Sequence, residues 1–216
     1  MTQTPLPGSN AALVGVAAFA VVNARSLWSL AKHFHVMAHE GMHAITAATL
    51  GLGVERVKLM RNGDGETIPR RPIGGRNVFT GFVGYLGPST FGLAAAALIN
   101  LGYIIAVLWL AMMFLVVLLL KVRRSFGFVS VPVAIALLLA LTHYASVNLQ
   151  VVMAYGMTWV LLLSGFRIAV QHGTHAGDAL ILKRLTHLPR WLWALLWVAG
   201  TFGAVYIGWW LLVARA

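Results

Sequence analysis

The sequence predicts an all-α polytopic membrane bundle of about six or seven spans, with a small β-hairpin outside the bilayer. Three observations carry that prediction. Of 216 residues, 60% are hydrophobic and only 10% charged, with a mean hydropathy of +0.83, whereas an average soluble domain is roughly half apolar and about a quarter charged. The apolar residues fall in long runs of spanning length. The charges gather between those runs. A chain of this size has room for one integral membrane domain over residues 1–216 and for no large extramembrane domain.

The elements follow in order. A first apolar run extends from Ala11 to about Leu30 and is interrupted by Asn23 and Arg25. Met1–Asn10 has no basic residue ahead of it, so this run is expected to be an uncleaved span. A second helix is expected from about Lys32 to Leu50, stopped by Gly51-Leu52-Gly53. Residues 54–77 then hold three of the five acids and six basic residues. Val54, Val57 and Leu59 beside Glu55, Arg56 and Lys58 suggest a strand. Asn62-Gly63-Asp64-Gly65 is a strong turn signal, and Glu66–Ile68 returns before Pro69, giving a hairpin insertion. Val78–Asn100 and Tyr103–Leu120 form a helical pair that turns near Gly102. Lys121, Arg123 and Arg124 end it. A short span from Val129 to Leu141 opens near Pro132, and Thr142–Ile168 is a further apolar run with polar His143, Asn148 and Gln150. Residues 171–190 are polar with a short helix, and Trp191–Val213 is the last span, rich in the tryptophan that suits membrane interfaces.

Topology follows by parity. The 54–77 hairpin, the Lys121–Arg124 cluster and the 171–190 segment share one side. They hold most of the basic residues, so that side is expected to be cytoplasmic. The formal charge of +11 is thereby explained by loops facing anionic lipid, and nucleic acid is not an expected partner. The chain has no cysteine, which excludes disulfides, thiol catalysis and Cys-ligated metal.

The second helix contains His39-Glu40-Gly41-Met42-His43, an HExxH motif. Residues four apart on a helix are offset by about 40° and lie roughly 6 Å apart, so both imidazoles can reach one zinc ion. Glu40 projects beside them as a general base for water made acidic by that ion. From the His and Glu frequencies of this chain the motif would arise by chance in roughly one such sequence in 250. A carboxylate at mid-membrane depth costs about 2.5–3.5 kcal/mol on insertion scales, and such residues usually have a function. The bland alternative is a structural polar network of two buried histidines and a glutamate.

Catalytic zinc sites usually take three protein ligands. Glu55, Asp64 and Glu66 are explained by a solvated hairpin, and Asp178 is the one acid in the last 150 residues. It opens a short helix, where it could be the third ligand or simply an N-cap. His172, His175 and His35 are rivals for the same role. His33 and His35 could equally be interfacial or supporting residues.

HEGMH in an apolar helix, the later Gly84-Tyr85-Leu86-Gly87-Pro88 and a distant acid near the membrane surface resemble the site-2 protease family of intramembrane zinc metalloproteases. The similarity is to the small bacterial branch without a PDZ domain and covers roughly His35 to Trp193. It implies His39, His43 and Asp178 as metal ligands, Glu40 as catalytic base, zinc as cofactor, a membrane-anchored protein as substrate and a bacterial plasma membrane as location. Phe91 stands where family members often have Asn. Ala179 follows Asp178 where Gly is common, and no Asn-Pro precedes it.

Two features stay open at this level. Gly81, Gly84 and Gly87 make a smooth face for close helix packing or for a substrate groove, and Asn148 could face an oxyanion or a neighbouring helix. The hairpin edge could offer backbone hydrogen bonds to an extended substrate. Two other functions fit the same residues. One is a metal transporter with His39 and His43 as a transient site, although transport does not call for Glu40. The other is a non-catalytic relative that binds membrane partners through its glycines.

Overall fold

The computed structural model describes residues 2–71, 74–175 and 177–215. Pro72 and Ile73 of the expected hairpin insertion and Ala176 of the expected polar segment lie outside them. The described chain runs α1 (Gly8–Asn23), α2 (Arg25–Thr49), β1 (Val54–Leu59), β2 (Gly65–Pro69), α3 (Gly74–Asn100), α4 (Ile104–Leu119), α5 (Gly127–Tyr144), α6 (Val147–His172), α7 (Gly177–Thr186) and α8 (Arg190–Trp209), which ends in a π-helical turn, Trp210–Ala214. The helical bundle with a two-stranded antiparallel sheet matches the expected class.

Among the described residues, α3, α5, α6 and α8 with its π turn are each long and apolar enough to cross a membrane. The bent pair α1–α2 makes a fifth span if taken as one broken span, and α4 is apolar but shorter than that length. Four to five candidate spans are roughly consistent with the expected number.

The first two helices divide earlier than the sequence suggests. Ala24 is extended (φ −74°, ψ 123°) and the axes of α1 and α2 differ by 99°. The cause is polar competition for the backbone. Asn23 Nδ2 donates to Phe19 O at 2.8 Å, and Arg167 of α6 donates to Val22 O while its guanidinium lies 4.5 Å from the centre of the Trp28 ring. Arg25 and Lys32, which interrupt the apolar pattern, thus fall within one helix, α2. The other large boundary change is at Ala145–Ser146. Ser146 caps α6, accepting from Leu149 N, so His143 belongs to α5 and the expected Thr142–Ile168 run starts at Val147.

The hairpin is shorter than the expected insertion, because residues 74–77 form the first turn of α3. Its turn is where Asn62-Gly63 puts it: Gly63 has φ +81°, and Met60 N donates to Asp64 O at 2.9 Å. A shift in register between Val54 and Arg56 is a bulge that brings Val54 onto the same buried face as Val57 and Leu59. Beyond the sheet, Val57 N donates to Lys121 O (2.8 Å) and Arg123 N to Val57 O (3.0 Å). This pairing ties the hairpin to the basic cluster after α4 and puts both at one end of the bundle.

Helix α3 is central and packs on α2, α6, α7 and α8, while α6 also carries α1. Close approach is the role of its glycines. A Cβ on Gly87 would lie 2.6 Å from Met42 Cβ and 3.0 Å from Ala38 O, and one on Gly84 would overlap the His43 imidazole. Gly81 faces Leu182 of α7. The glycine row is therefore a packing face for α2 and α7.

Candidate metal centre

Helix α2 carries three functional faces, set by its 3.6-residue period. His39 and His43 face α3 and α7, Glu40 faces β2, and Gly41 faces the Phe114 ring of α4. His43 is buried because Gly84 leaves room for its ring. His43 Nδ1 is 3.0 Å from Thr80 O. A carbonyl only accepts, so Nδ1 carries the proton and donates, which leaves the Nε2 lone pair free for a cation. His39 packs edge-on against Tyr85, at 5.4 Å between ring centres. Tyr85 in turn stacks on Trp197 at 4.0 Å.

Asp178 reaches the same point from α7. This ten-residue helix buries Ala179 and Leu182 completely and carries Lys183 and Arg184 in its last turn. Acid first and base last suit the helix dipole. Asp178 is the second residue of α7 and so lies inside the first turn. Burial pushes its carboxyl up, but the imidazoles of His43 and His39 outweigh that and hold it well below the usual carboxylate range.

His39 Nε2 and His43 Nε2 are 3.1 Å apart. Asp178 Oδ2 is 3.1 Å from the first and 3.4 Å from the second. A tetrahedral ion with bonds of about 2.0–2.1 Å needs ligand atoms roughly 3.3 Å apart. The three atoms therefore have the spacing that zinc requires. Among the described residues they form the His/Asp/Glu group that could hold a metal ion.

The rivals are elsewhere. His35, although buried one turn before His39, has its Nδ1 3.1 Å from Ser164 Oγ on α6. His172 and His175 are exposed, and His33 lies beside Phe126. Asn148 is exposed in the first turn of α6, some sixteen residues and therefore roughly 24 Å along that helix from Ser164. This separates it from the centre and removes it as an oxyanion donor. Phe91 packs on Phe114 at 4.9 Å.

Glu40 is buried, 3% exposed. Thr67 Oγ1 of β2 lies 2.7 Å from Glu40 Oε2 and 3.1 Å from Glu40 O. The sequence singles out neither Thr67 nor the carbonyl of Thr80, because both contacts depend on which loop and helix come to rest against α2.

The family model described as Peptidase M50B-like matches residues 12–208. No curated protein and no solved structure matches the chain.

Proposed function

The chain belongs to the Peptidase M50B-like family, the site-2 proteases, and on that footing we propose that it is a zinc-dependent intramembrane endopeptidase. Its substrates are membrane-anchored proteins cut near the cytoplasmic side of a bacterial plasma membrane. The observation that carries this reading is the convergence of His39, His43 and Asp178 at tetrahedral spacing, with the buried Glu40 carboxylate on the same helix.

His39 Nε2, His43 Nε2 and Asp178 Oδ2 would hold the ion, which when bound would supply Lewis acidity for the scissile carbonyl and for a water near neutral pH. The residues of the chain do the rest. Thr80 O fixes the tautomer and ring plane of His43. Glu40 takes a proton from the attacking water and passes it to the leaving amine, a general base and then a general acid. The packed glycine face of α3 and the Tyr85–Trp197 stack hold the donors in place. Outward of Glu40, the edge of β2 offers backbone groups to a substrate that must unwind before it is cut.

Replacing Glu40 by Gln keeps the size and hydrogen bonding of the side chain and removes the base. The expected result for purified Glu40→Gln is zinc content equal to wild type with cleavage of a membrane-anchored substrate abolished. Cleavage at the wild-type rate would refute the assignment. A site for metal transport does not need this carboxylate, so zinc flux that persists in Glu40→Gln, with no proteolysis by the wild type, would favour transport.

A further inference from the structure

We propose that Thr67 and Gly65 of β2 are positioning residues for the Glu40 carboxylate, so that the hairpin sets the alignment of the base. The inference rests on Glu40 being that base, and deepens it. A glutamate side chain turns about three torsions, and a general base works only within hydrogen-bond reach of its proton. Something must hold Glu40, and β2 does so in two ways. Thr67 has a single hydroxyl proton. It has two acceptors within reach, and the shorter distance, 2.7 Å, is to the carboxylate oxygen Oε2, in the range of charge-assisted hydrogen bonds. Gly65 lies two residues earlier on the same face of the strand. A Cβ there would fall 2.5 Å from both Cγ and Oε1 of Glu40 and 2.7 Å from Cδ. Thr67 therefore pins one carboxylate oxygen while the bare backbone of Gly65 forms the wall against which the other rests.

The frame behind the pin is itself anchored. Gly65 pairs with Leu59 and Thr67 with Val57. Both partners are buried, and Val57 is hydrogen-bonded to the chain after α4 through Lys121 and Arg123. Lys32 Nζ of α2 donates to Asn62 O at the hairpin tip at 2.5 Å, which fixes the other end of the sheet against the helix that carries Glu40.

Two measurements test this on the full chain in proteoliposomes. The first uses the metal-free protein and needs no proteolysis. Thermal unfolding midpoints of Thr67→Val, Glu40→Ala and the double variant form a cycle. Non-additive shifts are expected, and simple additivity would contradict the contact. The second uses a reporter protein anchored by one apolar transmembrane helix. Thr67→Val and Gly65→Ala are each expected to lower kcat by about 10–100-fold, the order that a misplacement of about 1 Å costs. KM and zinc content are expected to stay at wild-type values, and Thr67→Ser, which restores the hydroxyl, is expected to recover kcat. Equal loss in Thr67→Val and Thr67→Ser, or unchanged kcat in Thr67→Val, would overturn the proposal. Equal cleavage by wild type and Glu40→Gln would instead overturn the assignment of the base, so the two failures are distinct.

Discussion

Helices α3 and α5 are alike in sequence terms and opposite in use. Each is long and apolar enough to span, and each has a proline inside, Pro88 and Pro132. Yet the membrane-length window of α3 is 50% buried in the protein and that of α5 only 22%. Composition of the contact face makes the difference. Helix α3 presents Gly81, Gly84, Gly87 and Gly92 to α2, α6 and α7, while the outer face of α5 carries Val133 and Leu137, 51% and 60% exposed. In lipid there is no hydrophobic drive between helices, so small residues that let backbones approach decide which helices form the interior. Hydropathy says that a segment spans; glycine placement says what it holds. What α3 holds is His43.

That contrast can be broken from either side. The larger effect is expected on α3. In Gly84→Ala the new methyl occupies the place of the His43 ring, and metal affinity is expected to fall by about 10–100-fold, as for other losses of support around a ligand. A zinc titration against a competing chelator measures it, and wild-type affinity in this variant would show that α3 does not seat the ligand. The smaller effect is expected on α5. Leu137→Ala exposes no cavity inside the bundle, so zinc content should be unchanged and stability altered by less than about 0.5 kcal/mol. A thermal shift comparable to that of Gly84→Ala would mean that α5 is part of the packed interior.

The same distinction separates what can be read from the sequence from what cannot. Apolar run length is local, so the helices after the hairpin are legible to within a few residues. The exceptions are the start of α3 at Gly74, the end of α5, which takes in His143, and both ends of α6, which runs from Val147 to His172. Asn62-Gly63 is likewise local, since its positive φ is a property of the dipeptide. The His39–His43 pair follows from helical period alone. Asp178 is singled out by the scarcity of acids, but its contact with the histidines comes from Ala179 and Leu182 docking α7 against α3 and α8. The 99° corner at Ala24 has Arg167, more than 140 residues away, bonded to Val22 O beside it. Thr67 is the extreme case. As a sequence feature it is an ordinary strand residue, and only the register of the sheet against α2 brings its hydroxyl to Glu40.

The proposed metalloprotease stands or falls on whether two imidazoles from α2 and one carboxylate from α7 grip a single zinc ion. Elemental analysis of the gently purified chain beside Asp178→Ala decides this. About one zinc per wild-type chain and little or none in Asp178→Ala is expected; full zinc occupancy in the variant would rule the shared site out.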